Sequence, residues 1–341
     1  MQSIYNLDFD EACAFFLEHG GKKFHAEVLL TWLYQKRITN YSEITNIKKE
    51  LLKELEENYQ LEKLQVVKKE EEKDVSKYLF RLEDGEHIEA VLMRHDYGNS
   101  ICISSQVGCN MGCRFCESGR RKKVRNLETY EMVLQVMQIE EDLNERISHV
   151  VIMGIGEPFD NYDNVIRFLR IINYPKGMAI GSRHITVSTC GIIPKIEEFM
   201  NFPLQVNLAI SLHASNDTLR SKLMPINKVY PLKDLIEILK KYSKKTGRRL
   251  TFEYILLEGV NDHKENALEL ASLIKGMNAY VNLIPYNETE NIEFNRSKTV
   301  QIMKFYDILK KNKINVTIRK EFGKNISAAC GQLRSREEET I

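Results

Sequence analysis

The sequence predicts an α/β protein in which repeated strand–helix units build a partial (β/α)6-type barrel, preceded by a helical N-terminal accessory domain and a small β extension. Two observations carry this expectation. From residue 98 onward, short apolar runs alternate with segments whose apolar residues recur at i, i+3, i+4 and i+7. Such alternation builds a parallel sheet with right-handed crossovers. Before residue 98 the pattern is different, first helical alone and then short strands alone.

Residues 1–60 carry the helical period, with Ala12, Phe15 and Phe16 on one face and Val28, Leu29, Trp32 and Leu33 on another. Basic positions on this module (Lys22, Lys23, Lys36, Arg37, Lys48, Lys49) suit either phosphate contact or a solvated face. Residues 61–97 read as a β extension, in which strands over 78–82 and 87–93 flank Asp84-Gly85, a hairpin turn signal. A boundary is expected near 97, at Tyr97-Gly98-Asn99. The barrel then occupies 98–335. Strands are expected over 101–104, 149–153, 185–188, 206–211, 250–256, 281–284 and 316–318. Helix faces follow at Tyr130, Val133, Leu134 and Met137, at Val165, Phe168, Leu169 and Ile172, at Leu232, Leu235, Ile236 and Leu239, at Ala267, Leu270, Ala271 and Ile274, and over 298–311. Residues 336–341 form a charged tail.

The chain has 341 residues, 43% of them apolar and 28% charged, with a net charge of +1. That balance excludes a globally basic nucleic-acid binder, so RNA affinity would need charge segregated onto one face. No apolar run approaches a membrane span, and Asp8, Asp10 and Glu11 interrupt what would have to be a signal peptide's apolar region. A cytoplasmic protein is expected. Seven cysteines in a reducing compartment point to metal or redox chemistry rather than structural disulfides.

Three of these thiols, Cys109, Cys113 and Cys116, lie within eight residues at Cys-x-x-x-Cys-x-x-Cys spacing. Three thiolates from one loop fill three corners of a 4Fe-4S cube and leave one iron open. The competing reading is a structural zinc loop, which closes its shell with four ligands. No fourth Cys or His follows at finger-like spacing. The loop falls after the first barrel strand, and the active site of such a barrel lies at the carboxyl ends of its strands.

Further turns occupy equivalent places. Gly154-Ile155-Gly156-Glu157-Pro158 fails the dinucleotide fingerprint because Phe159 stands at the third glycine position. What remains is a flexible turn followed by a carboxylate. Ser188-Thr189-Cys190-Gly191, Ser211-Leu212-His213 and Pro285-Tyr286-Asn287 end later strands. One such turn is an ordinary loop, whereas four facing one rim make a ligand site. His213 also suits a satisfied structural histidine. Cys102 on the first strand and Cys330 after the last are brought together by a nearly closed barrel, an arrangement suited to thiol–disulfide exchange. Basic runs at Arg120-Arg121-Lys122-Lys123 with Arg125, and at Lys240, Lys241, Lys244, Lys245, Arg248 and Arg249, are expected to flank the rim and favour an RNA substrate.

With these residues in view, the chain resembles the RlmN dual-specificity RNA methyltransferases, whose sibling is Cfr. The resemblance spans roughly residues 20–335 and rests on Ser104-Ser105-Gln106-Val107-Gly108-Cys109, Met153-Gly154-Ile155-Gly156-Glu157-Pro158, Leu223-Met224-Pro225-Ile226-Asn227, Val281-Asn282-Leu283-Ile284-Pro285 and Ala328-Ala329-Cys330-Gly331-Gln332-Leu333. Phe115, directly before the third loop cysteine, sharpens the likeness to radical S-adenosylmethionine enzymes. The resemblance implies a radical S-adenosylmethionine barrel in which Cys109, Cys113 and Cys116 hold one 4Fe-4S cluster. It also implies that Gly156, Glu157, Ser188, Ser211, Leu212, His213 and Asn287 contact S-adenosylmethionine. Cys330 would be transiently methylated, Cys102 would resolve the covalent intermediate by forming a disulfide, and Glu89 would accept the ring proton. The implied reaction adds a methyl group to carbon 2 of adenosine in 23S rRNA and tRNA. An external flavodoxin-like or ferredoxin-like electron donor is implied too, and the expected state is a monomer.

Two alternatives stand beside this reading: Cfr-type methylation at carbon 8 of adenosine, and a non-enzymatic RNA-binding factor with a zinc-filled loop. Pro158 after the Gly-Glu pair favours RlmN over Cfr. The chain departs from the usual pattern at Glu117-Ser118-Gly119 and the basic residues that follow. Cys190 stands where a small Ser is usual, and no role for it follows from the sequence.

Overall fold

The computed structural model describes residues 1–289, 292–320, 323, 326–328 and 331–333. The N-terminal module consists of α1 (Phe9–Glu18), α2 (Lys23–Thr31) and α3 (Lys49–Asn58). Asp8 caps α1 reciprocally with Glu11: each side chain accepts the other's backbone N–H at 3.0 Å. Beyond α2 the chain widens into a π-helical turn, Trp32–Lys36, which stops at Arg37 in the left-handed region with φ 58°. Arg37 is not part of a solvated face, because its guanidinium pairs with Glu140 on the barrel.

Ten strands form one sheet among the described residues: β1 (Gln65–Glu72), β2 (Val75–Arg81), β3 (His87–His95), β4 (Gly98–Ile103), β5 (Ile147–Ile152), β6 (Ile185–Thr189), β7 (Asn207–Ser211), β8 (Leu250–Leu256), β9 (Ala279–Pro285) and β10 (Asn315–Ile318). They lie side by side in chain order. The first four pair antiparallel. From β4 to β10 all pairings are parallel, as crossover helices require. The helices are α4 (Thr129–Leu143), α5 (Tyr162–Asn173), α6 (Ile193–Phe199), α7 (Asp217–Leu223), α8 (Leu232–Thr246), α9 (Lys264–Leu273) and α10 (Thr299–Lys311).

The sheet runs through residue 97 without interruption. Asp96 and Tyr97 are a two-residue hairpin turn, with His95 opposite Gly98, so the β extension widens the barrel sheet. Its outer edge, β1, is mostly exposed and carries Lys68, Lys69, Glu70, Glu71 and Glu72, charges that discourage edge-to-edge pairing. The expected turn at Asp84-Gly85 is present, with Gly85 at φ 84° and the Gly85 N–H donating to the Leu82 carbonyl at 3.0 Å.

Helix α4 buries the expected face, Tyr130, Val133, Leu134 and Met137, and also Met132, Val136 and Ile139. The second face is covered because the N-terminal module contacts this helix. Asn6 Nδ2 donates to Glu128 Oε2 at 3.1 Å, and Asn6 Oδ1 accepts the Tyr130 N–H at 2.9 Å. No helix among the described residues is long and apolar enough to cross a membrane.

The Arg37–Glu140 pair is half-buried, and Glu140 also accepts the Ile147 N–H at 2.9 Å. Arg37→Ala leaves that carboxylate without its cation, and we expect a loss of about 2 kcal/mol in chemical denaturation. Lys36→Ala, at an exposed neighbour, is expected to change stability by less than about 0.5 kcal/mol.

Candidate active site

The strand ends converge through backbone chemistry. Ser104, just after β4, is wholly buried; its Oγ donates to the Glu89 carbonyl at 2.6 Å and accepts the Ile155 N–H at 3.0 Å. Gln106 Oε1 accepts the Glu157 N–H at 2.9 Å, and Gln106 Nε2 donates to Asn126 Oδ1 and Asp160 Oδ2, each at 2.8 Å. The close approach explains the glycines: a Cβ on Gly154 would lie 2.7 Å from the Ile103 carbonyl oxygen, and one on Gly156, at φ 107°, would lie 2.6 Å from Gln106 Cβ.

The cysteine loop is fixed from both sides. Gly108, at φ 74°, lets the chain pass against Lys122, where a Cβ would lie 2.4 Å from the carbonyl oxygen. The Cys109 N–H then donates to the Arg121 carbonyl at 2.9 Å, and Arg114 N–H to the Leu223 carbonyl at 3.0 Å. The C-terminal segment is attached to the same loop: the Glu117 N–H donates to the Gly331 carbonyl at 2.9 Å, and Ser118 Oγ to the Leu333 carbonyl at 3.0 Å.

All three loop cysteines face one cavity of about 870 Å³, counting its open mouth. Gly156, Glu157, Ser188, Ser211 and His213 line it as well. An adjoining chamber of about 690 Å³ is lined by Cys102 and Asn287, and Cys116, Gly154, Arg319 and Gly331 border both spaces. Leu212 is different: its side chain is fully buried in the main core, and its backbone N–H donates to the Glu253 carbonyl at 3.1 Å. Glu89 is buried on β3 rather than exposed, with Lys77 Nζ 3.5 Å from its Oε1. By strand alternation it shares a face with Val91 and Met93, which line the second chamber. Cys330 lies outside the described residues, and so does its pairing with Cys102. The flanking Ala328, Gly331 and Leu333 line the chamber that contains Cys102.

Burial dominates the electrostatics. The Cys109 thiol is pushed up to about 12 and the Cys113 thiol is also held well above its ordinary range, both mainly by desolvation. Glu157 is raised by burial as well, although its Oε2 accepts the Cys190 N–H at 2.7 Å and its Oε1 the Phe159 N–H at 3.0 Å. His213 sits at φ 55°, with its ring edge-on to Phe115 at 4.8 Å, and Nδ1 accepts the Ile255 N–H at 3.0 Å. It is both a satisfied structural histidine and part of the cavity wall. Burial, then the charge of Arg220, lowers its pKa to about 3.

Thiols so disfavoured as bare anions suit a metal, whose positive charge reverses the preference. The three thiols border one cavity, an arrangement that fits one multi-iron cluster taking a thiolate from each. Two buried polar atoms fit a polar ligand: Glu253 Oε2, on the cavity wall, and Asn287 Oδ1, on a residue lining the second chamber, have no hydrogen-bond partner among the described residues.

Sequence reasoning missed the Glu253–Asn282–Arg319 group. Asn282 Nδ2 donates to Glu253 Oε1 at 2.9 Å, and Arg319 Nη1 is 3.8 Å from Glu253 Oε2. A carboxylate within the apolar run Leu250–Leu256 was the available signal. The basic runs need correction. Lys123 pairs with Asp160 at 2.6 Å, and Arg125 with Asp84 at 2.6 Å and Glu131 at 2.8 Å. Lys244, Lys245, Arg248 and Arg249 lie where α8 leads into the amino end of β8, opposite the cavity. Their charge follows the helix dipole rather than the rim.

A family model of the radical SAM superfamily matches residues 103–271, and one for the ribosomal RNA large subunit methyltransferase N-terminal domain matches residues 2–61. The probable dual-specificity RNA methyltransferase RlmN of Spiroplasma citri is 52% identical, over 100% of this chain and 99% of that protein. The chain belongs to the RlmN family of radical SAM RNA methyltransferases. An RlmN of Enterococcus faecalis is 53% identical over 98% of this chain and 97% of its own length. The crystal structure of a radical SAM methyltransferase from Sphaerobacter thermophilus covers 98% of this chain and 100% of its own, with a TM-score of 0.92 at 40% identity.

In this RlmN-family fold, unfolded His213 takes up a proton near 6.5 but the folded ring does so only near 3. Acid therefore favours the unfolded chain, and this contribution to stability falls as pH drops from 6.5 toward 3 and is constant above. In His213→Asn, where Asn tolerates the left-handed backbone, the pH dependence of the urea midpoint is expected to flatten over that window. An unchanged slope contradicts the assignment.

Proposed function

We propose that this protein methylates carbon 2 of adenosine in 23S rRNA and tRNA, with Cys330 as the transient methyl carrier. The observation that supports the reading is the union of two chambers, one bordered by the three-thiol loop and the other by Cys102 and the segment that flanks Cys330. Carbon 2 lies between two ring nitrogens and is electron-poor, so direct displacement on an electrophilic methyl group fails there. Cys109, Cys113 and Cys116 would hold a 4Fe-4S cluster, which would supply one-electron reduction of S-adenosylmethionine and so a radical route.

The chain's own residues do the rest. Glu157 and the polar ends of β6 and β7, Ser188 and Ser211, bind and orient the polar end of S-adenosylmethionine, with His213 and the backbone of Gly156 and Leu212 shaping the wall. Asn287 offers its unpartnered Oδ1 from the second chamber. Glu89 serves as the proton acceptor, a role supported by its burial on the face of β3 that carries Val91 and Met93, with Lys77 Nζ 3.5 Å from its Oε1. Cys102 then attacks the sulfur of Cys330, releasing the methylated RNA and leaving a disulfide that an external reductant resets. An electron donor of flavodoxin or ferredoxin type completes the cycle in the cytoplasm.

The test is to incubate reconstituted protein with S-adenosylmethionine deuterated at the methyl group, a reductant and either an rRNA fragment or tRNA, then digest both products. We expect label at carbon 2 of adenosine and a methyl group on the Cys330 peptide. An 8-methyl product, or full-rate methylation by Cys330→Ala, overturns the reading. Cys102→Ala is expected to leave RNA attached to protein on a denaturing gel.

A further inference from the structure

Arg220 is the largest side chain wholly excluded from solvent. It projects from α7 behind the wall made by the ends of β6 and β7. Its Nη2 donates to the carbonyls of Cys190 at 2.6 Å and Ser211 at 3.4 Å, Nε to the Leu212 carbonyl at 3.3 Å, and Nη1 to Asn227 Oδ1 at 2.9 Å. Every acceptor is neutral. Asp217 on the same helix is turned to the Asn227 amide and the Leu232 N–H, each at 2.8 Å.

A buried guanidinium is costly when no carboxylate among the described residues touches it. Asp217 acts on this one only through space, and the remaining demand falls on the cavity side. Across the wall lies the cavity that the three loop thiols border, because Cys190 and Ser211, whose carbonyls Arg220 holds, both line it. Arg220 does not border the cavity, so it acts through the wall, where low polarity lets charge reach further. Three thiolates leave an iron–sulfur cluster net negative, and reduction adds another electron. Hydrogen bonds and net charge around such clusters set their potentials.

We propose that Arg220 is the built-in counter-charge of the site, a positioning residue that offsets the negative charge gathered by a cluster on Cys109, Cys113 and Cys116. The proposal rests on the cluster reading of that loop. It makes the same side chain responsible for fixing the carbonyls of Cys190, Ser211 and Leu212, and so the two turns that face the ligand.

The test compares wild type, Arg220→Lys and Arg220→Met after anaerobic reconstitution, reading the midpoint potential by EPR-monitored titration, iron release to a chelator, and the thermal midpoint before and after chelation. We expect Arg220→Met to bind iron but to reduce at a lower potential and lose iron several-fold faster. Its iron-free form is expected to stay folded but to unfold earlier than iron-free wild type, because the carbonyls of Cys190, Ser211 and Leu212 lose their donor. Arg220→Lys is expected to stay near the wild-type potential. If Arg220→Met fails to fold without iron, or holds its cluster at the wild-type potential, the counter-charge role is overturned. Absence of iron from all three proteins overturns the cluster reading itself.

Discussion

Charge balance in the buried walls of one cavity governs this molecule. Cys109, Cys113, Glu157, His213 and Arg220 are all held where water is scarce, and burial pushes each toward its neutral form. Left alone, such a set is a liability, because an unpaired buried charge costs far more than a hydrogen bond returns. The fold meets part of that demand with backbone groups: N–H donors on Glu157 and carbonyls on Arg220. The remainder is left to what binds. Such walls favour an occupant whose charges complement them.

The sheet exists to hold this arrangement still. Parallel strands place their carboxyl ends side by side, and short polar side chains lock neighbouring ends together. Ser104 joins β3, β4 and the turn after β5 through one hydroxyl. Gln106 does the same between the cysteine loop and Glu157. These contacts tolerate no bulk, which is why Gly154 and Gly156 recur in the turn. The antiparallel extension adds the face that bears Glu89, Val91 and Met93, enlarging the cavity toward Cys102. Coupling thus runs from backbone spacing, through buried polar contacts, to the meeting of two chambers.

Much of this was legible in the sequence where local signals sufficed. Strand–helix alternation gave the parallel order, Asp84-Gly85 the hairpin, and the spacing of three cysteines the centre of the site. Long-range pairing was the part that local pattern could not express. Tyr97-Gly98-Asn99 has the composition of a linker, yet belongs to a tight turn inside one sheet. Glu89 sits in a strand that alternates as if one face were exposed, but both faces of β3 are covered. Arg121, Lys123 and Arg125 belong to a basic run expected to flank the rim, while their partners Glu86, Asp160, Asp84 and Glu131 lie elsewhere in the chain. Arg220, on a short helix with Lys222 beside it, has the sequence context of a surface residue and is wholly buried.

Family membership and geometry together leave one central claim: the three loop thiols hold a cluster with an open iron, and the cavity around it seats S-adenosylmethionine against that iron. The most direct test is the EPR spectrum of the reduced, anaerobically reconstituted protein before and after S-adenosylmethionine is added. The account predicts a cubane signal that changes on addition and is lost in Cys113→Ser. A spectrum indifferent to S-adenosylmethionine, or a colourless protein carrying stoichiometric zinc in place of iron, would contradict it.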